Sequence, residues 1–273
     1  LGLVALGLAS IVAIIASEHA SSPRARETKA QPLSNGKLVF DDEFNGSRLD
    51  SRNWSTCYWW GKQGCTIATN RELEWYQPGQ VTVTGGAVRL VAARSAVPTS
   101  AGGHVYPFVS GMISSGPPPG RNQAKFAFRY GRVEARIRVP DGRGLWPGFW
   151  LLPVDRSSLP EIDVMEIIGQ TPDELKIHLH YQDSDGNEEV VGATRLLRSR
   201  PGAWHVYGID WKPDSLTWLV DGRRLFHVSG AAVPHVPMYL LANLAVGGDE
   251  PGPPNAATRF PSTMEIDWMR IWR

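Results

Sequence analysis

The 273-residue chain reads as an all-β protein: an antiparallel β-sandwich of many short strands, preceded by a short apolar helix and a linker. Three observations predict this. Several segments alternate apolar and polar residues with period two, as a half-buried strand does. Gly-Gly and Asp-Gly pairs separate such segments, and those pairs make tight hairpin turns. Beyond residue 17 no segment sustains a 3.6-residue period, and no long internal repeat recurs.

The first 17 residues, LGLVALGLASIVAIIAS, carry no charge. They are long for a signal core of about 7–15 residues and a little short for a full span of about 20. They are expected to be a secretory signal peptide or an N-terminal membrane anchor. The polar run over 18–36 reads as a flexible linker and argues against a buried core helix. The protein is therefore expected to be secreted, or anchored to the outer face of the cytoplasmic membrane. Cys57 and Cys65 lie eight positions apart, and in an exported protein they are expected to pair as a disulfide. Two cysteines alone do not make a structural zinc site.

Strands follow from Leu38 onward. QVTVTGGAVRLVA forms a hairpin across Gly85-Gly86. In GRVEARIRVP, Val133, Ala135, Ile137 and Val139 alternate with Arg132, Glu134, Arg136 and Arg138, and Pro140 ends the strand. AWHVYGIDW is another strand. SLTWLVDGRRLFHV places Leu216, Trp218 and Val220 on one face, then turns at Asp221-Gly222 into Leu225–Val228. TMEIDWMRIW closes the chain as a further strand.

Composition excludes some classes of partner. Lys+Arg is 28 against Asp+Glu 27, so nothing suggests a nucleic-acid-binding stripe. A membrane enters only through the N-terminal segment. Nothing points to an oligomer, and a monomer is expected. The 11 tryptophans exceed the needs of a core, and sugar rings stack well on exposed ones.

PEIDVMEIIG, residues 160–169, mixes three acids with apolar, mostly β-branched residues. On a regular strand Glu161 and Asp163 share a face and Glu166 points away. One extra residue, a β-bulge at Val164–Met165, would return Glu166 to the first face. Clustered carboxyls raise one another's pKa, so one holds a proton for general acid catalysis while another stays ionised. Glycosidases divide the work this way. Strand rise sets Glu161 and Glu166 about 13 Å apart, so spacing alone does not separate a retaining from an inverting geometry. A solvated acidic strand and a Ca²⁺ site of hard oxygen ligands are the alternatives. Trp146, Phe149 and Trp150 just upstream favour a sugar cleft, in which aromatics ring a polar centre.

EIDVME resembles the Glu-x-Asp-x-x-Glu signature of glycoside hydrolase family 16 in its bulged, laminarinase-like form. LVFDDEFNG, NRELEWYQPGQVTVTGGAVRLVA, YGRVEARIRVPDGRGLWPGFWLLP, IHLHY, LLANLAVGG and FPSTMEIDWMRIW are similar to that family in its order, so the resemblance covers 37–273. It implies a β-jelly-roll catalytic domain with a concave substrate cleft, and retaining cleavage of a polysaccharide, a β-1,3- or mixed β-1,3-1,4-glucan. Glu161 would be the nucleophile, Glu166 the general acid/base, and Asp163 the group that tunes the nucleophile. Trp146, Trp150, His180, Asn70 and Arg71 would bind substrate, with His180 near the acid/base. No cofactor would serve catalysis, and Glu43, Asp267 and the Gly86 carbonyl would hold a structural Ca²⁺. His178 and His180 share a strand face, which makes a metal pair conceivable, but no third ligand stands at useful spacing. Trp204, Trp211, Trp218, Trp268 and Trp272 are expected to serve packing.

The sequence departs from the pattern after NLAVGG, where family members often carry a tryptophan and this chain reads DEPGPP. Tyr58, Trp59 and Trp60 are candidate replacement aromatics. Another β-linked polysaccharide such as a galactan, or transfer to a sugar acceptor, is the competing activity. A lectin-like binding module is the non-enzymatic alternative.

Overall fold

The computed structural model describes residues 36–60, 65–98, 105–197 and 202–273. The apolar segment at 1–17 and all but the last residue of the 18–36 linker lie outside them. In chain order the strands are β1 (Leu38–Asp42), β2 (Glu74–Tyr76), β3 (Val81–Thr84), β4 (Ala87–Pro98), β5 (Val105–Ser110), β6 (Met112–Ser114), β7 (Gly131–Arg138) and β8 (Leu145–Pro153). They continue as β9 (Glu161–Ile167), β10 (Glu174–Gln182), β11 (Glu188–Leu196), β12 (His205–Lys212), β13 (Ser215–Val220), β14 (Arg223–Ser229), β15 (Met238–Val246) and β16 (Ser262–Trp272).

These strands make two sheets. The six-stranded sheet runs β11-β10-β9-β8-β15-β6. The ten-stranded sheet runs β14-β13-β12-β7-β16-β4-β5-β2, with β1 added to β16 and β3 to β4. Pairing is antiparallel except between β2 and β5. Both expected hairpins form: Gly85 and Gly86 have φ of 63° and 77°, Asp221 and Gly222 of 50° and 77°. Positive φ at both turn positions matches the right-handed twist of the strands they join.

Period-two patterning dictates the core. Val133, Ala135 and Ile137 of β7, Ile209 and Trp211 of β12, and Leu216 and Trp218 of β13 face the interior from the large sheet. Leu151 of β8, Ile162 of β9, Ile177 and Leu179 of β10, and Leu240 and Leu244 of β15 meet them from the small one. The other face of β7 is less solvated than its alternation implies. Glu134 is buried and accepts hydrogen bonds from Arg132, while Arg136 and Arg138 reach Asp267 and Glu265 of β16. Strand register sets opposite charges side by side, and each desolvated acid has a guanidinium partner.

A second apolar cluster lies on the far side of the small sheet. Tyr58, Cys65, Tyr76, Met112, Trp150, Leu152, Tyr239 and Leu241 form it. It floors one end of the cleft described next, and the disulfide Cys57–Cys65 is formed within it.

Candidate active site

The bulge read from the sequence is present. Asp163 pairs with His178 and Trp150, whereas Glu166 pairs with Lys176 and Gly148. Val164 and Met165 therefore stand against single residues on each neighbouring strand. Both are buried in the core, which turns Glu166 back to the side of Glu161 and Asp163. All three acids line one cleft of about 650 Å³ together with Trp146, Trp150, Asn70 and Asn243.

The acids differ sharply in surroundings. Burial, then the charges of Asp163 and Glu166, push Glu161 well above the ordinary carboxylate range. Burial and the Asp163 charge also raise Glu166, although bonds from His178 and Trp146 partly offset this. Burial opposes ionisation of Asp163 too, but hydrogen bonds from His178 and His180 hold it below its ordinary value. The result is one dependable anion between two carboxyls that take up protons readily. The imidazoles respond in the opposite sense: bonds to Asp163 and Glu166 raise His178 to about 9, and the bond to Asp163 raises His180.

The contacts are direct. Trp146 donates Nε1–H to Glu166 Oε1 at 3.1 Å. His178 Nδ1 lies 3.0 Å from Glu166 Oε2. His180 Nε2 lies 3.1 Å from Asp163 Oδ2. Trp150 donates to Asn243 Oδ1 at 2.8 Å, and Asn243 donates to the Tyr76 hydroxyl at 2.9 Å. That chain locks the Trp150 ring in the cleft floor.

Three expectations are corrected. The imidazole beside Glu166 belongs to His178, whereas His180 meets Asp163. Alternation along β10 puts both rings on one face; register sets His178 opposite Asp163 and His180 opposite Glu161, and each ring leans diagonally to the next acid, Glu166 and Asp163. Arg71 also leaves the cleft. Its left-handed backbone (φ 55°) follows a turn of 3₁₀ helix, and its side chain ion-pairs with Asp249. Asn70 does line the cleft, donating to Glu72 Oε1 at 3.1 Å. Finally, the expected calcium donors do not fit a cation. Glu43 accepts from Arg270 at 2.7 Å and Asp267 from Arg136 at 2.9 Å. A cation would have to displace guanidinium groups from both carboxylates.

Some arrangements escaped the sequence reading. Asp163 supplies the third donor beside His178 and His180, and the three donor atoms lie within 4.8 Å of one another. Their residue types would suit a borderline divalent ion; here they are joined by hydrogen bonds. Glu72 lines the cleft and faces the fully buried Glu74. Burial raises both carboxyls; Glu74 Oε2 accepts from the Val246 N–H at 2.7 Å, and its Oε1 has no hydrogen-bond partner among the described residues. NRELEW carries that pair, but nothing in its spacing marks it.

The sequence pattern of the family "Glycosyl hydrolases family 16" matches residues 72–270 of the chain. The chain is 31% identical over 247 residues to the endo-1,3-1,4-beta-glycanase EglC of Rhizobium meliloti (strain 1021), covering 86% of this chain and 51% of that protein. It thus spans about half the length of that relative. It is 30% identical to the beta-glucanase of Rhodothermus marinus, covering 87% of this chain and 85% of that one. The catalytic domain of the endo-1,3-beta-glucanase (laminarinase) of Thermotoga petrophila RKU-1 superposes with a TM-score of 0.76 at 27% identity, covering 88% of this chain and 99% of that domain. With its bulged Glu161–Glu166 strand set in a two-sheet sandwich, the chain belongs to glycosyl hydrolase family 16.

Proposed function

We propose that the protein is a retaining endo-glycosidase that hydrolyses β-1,3- or mixed β-1,3-1,4-glucan. The observation that carries this reading is the bulge, which gathers Glu161, Asp163 and Glu166 in one tryptophan-lined cleft. The names of the relatives, endo-glycanase, beta-glucanase and laminarinase, support the substrate class.

The chemistry follows from the carboxyls. Glu161 attacks the anomeric carbon in its ionised form, the form that burial and Asp163 disfavour in the free enzyme. Glu166 gives its proton to the leaving oxygen, so a glycosyl ester forms on Glu161 as the glycosidic bond breaks. Glu166, now a carboxylate beside protonated His178, takes a proton from water. That water cleaves the ester and restores Glu161. Asp163, kept anionic by its two imidazoles, orients Glu161 and stabilises charge developing on the sugar ring. Trp146 holds Glu166 in place and offers its ring to the sugar.

The enzyme acts as a monomer outside the cytoplasm, secreted or held to the outer face of the membrane by residues 1–17. The apolar run and the Cys57–Cys65 disulfide support this location. The test is reducing-sugar release from laminarin, lichenan, cellulose, agarose and β-galactan, with Glu161→Gln beside the parent. Release from laminarin, alone or with lichenan, that disappears in Glu161→Gln is expected. Release from galactan or agarose alone would move the substrate class. Binding with no release would move the activity to transfer or to a lectin role.

A further inference from the structure

The cleft also runs along the second apolar cluster. Beside Trp150 and Leu152 it is walled by Trp59, Trp60, Thr66 and Arg156. The chemistry above uses none of them.

This end is built as a seat. The Trp60 ring stacks on Tyr58 with centroids 4.3 Å apart and planes 7° apart. Tyr58 is buried, so it backs one face of Trp60, while Trp60 itself is half-buried and lines the cleft. The Trp60 indole donates to the Thr66 carbonyl at 3.3 Å, which fixes the ring's orientation. Trp59 stands at 90° to Trp60, 5.4 Å away, and the Arg156 guanidinium lies 5.3 Å over Trp59. Beside this platform the Thr66 hydroxyl is an orphan. Thr66 is 5% exposed, and its Oγ1 has no hydrogen-bond partner among the described residues. A buried hydroxyl without a partner is uncommon and asks for one.

A flat apolar ring next to a waiting hydroxyl suits one ligand chemistry. A pyranose presents a C–H face to an aromatic ring and hydroxyls at its rim. Both halves of the seat hang on one covalent link. Tyr58, Trp59 and Trp60 lie between Cys57 and Cys65, and Thr66 is the next residue. Cys65 is packed in the same buried cluster as Tyr58 and Trp150. The bridge thus ties the platform to the cleft floor.

We infer that Trp60 and Thr66, held by the Cys57–Cys65 disulfide, form a further subsite for a neutral hexopyranose unit of a longer chain. This rests on the proposed glycosidase activity and extends it to substrate length. The subsite makes long oligosaccharides better substrates than short ones.

The test is kcat/KM along a series of β-glucan oligosaccharides from the shortest one cleaved upward. The variants are Trp60→Ala, Trp60→Phe, Thr66→Val and the double Cys57→Ser/Cys65→Ser. In Trp60→Ala the ratio of kcat/KM for the longest to the shortest substrate is expected to fall about tenfold, the scale of one aromatic contact. Trp60→Phe restores most of the ratio. Thr66→Val and the double serine variant lower it in the same direction. Ratios unchanged in both Trp60→Ala and Thr66→Val overturn the subsite. Ratios that fall in those two but not in the serine variant overturn the role of the disulfide. If the parent cleaves nothing, the glycosidase reading fails instead. Retardation of the protein in gels containing laminarin or β-galactan then decides the subsite, with loss of retardation in Trp60→Ala expected and equal retardation overturning it.

Discussion

Trp218 of β13 reaches across the sandwich and donates its indole N–H to the backbone carbonyl of Asp163, 2.8 Å away on the opposite sheet. A residue expected to serve packing alone therefore braces the bulge that aims the acids. The carbonyl is buried, and a buried acceptor stripped of its donor costs about 1–3 kcal/mol. Trp218→Phe is expected to lower Tm by about 5 °C in a domain of this size. It should also lower kcat more than it raises KM, because the bulge relaxes while the cleft walls remain. Calorimetry and steady-state kinetics check both, and an unchanged kcat would show that the bulge holds itself.

The pH profile follows from the two raised carboxyls. Glu161 must be ionised and Glu166 protonated in the free enzyme, and both are pushed above the usual carboxylate range near 4.3. Both limbs of kcat/KM against pH should therefore lie above that value. The His178 bond pulls Glu166 downward, so His178→Gln should move the alkaline limb to higher pH. A limb that moves to lower pH, or not at all, would detach His178 from Glu166.

His178 also links pH to stability. Its folded pKa is about 9, against an ordinary 6.5. A raised folded pKa stabilises fully below 6.5, and the stabilisation fades as pH climbs through about 9. Thermal melts should show Tm falling across that window in the parent and a flatter profile in His178→Gln. Parallel profiles would mean that the imidazole is not held by Asp163 and Glu166 in solution.

Arg270 and Arg136 neutralise the two acids on which a calcium ion would depend. Incubation with EDTA is expected to leave Tm unchanged. Arg270→Ala, by contrast, strands Glu43, which is half-buried, and should lower Tm. A drop in Tm on chelation, reversed by added Ca²⁺, would show that the guanidinium groups give way to the ion.

The sandwich was legible because period-two patterning and paired turn residues are local signals, and local signals place β7, β12, β13 and β16 correctly. The bulge was legible for the same reason: three acids at 161, 163 and 166 share a face only if one residue is extra. What stayed hidden depends on which way side chains lean between strands and across the two sheets. Nothing local says that His178, rather than His180, meets Glu166, or that Trp218 meets Asp163 from the other sheet. Arg71 misled because a left-handed residue after a short turn reverses its side chain. Glu43 and Asp267 misled because sequence shows acids and not the arginines that cross-strand pairing sets against them.

The most direct test follows the anomer released first from a β-linked oligosaccharide, by proton NMR during the opening minutes of cleavage. Glu161 acting as nucleophile, with Glu166 as acid and then base, requires two inversions, so the new reducing end should appear as the β-anomer and mutarotate later. Initial release of the α-anomer would mean a single displacement by water, and the roles given to Glu161 and Glu166 would be wrong.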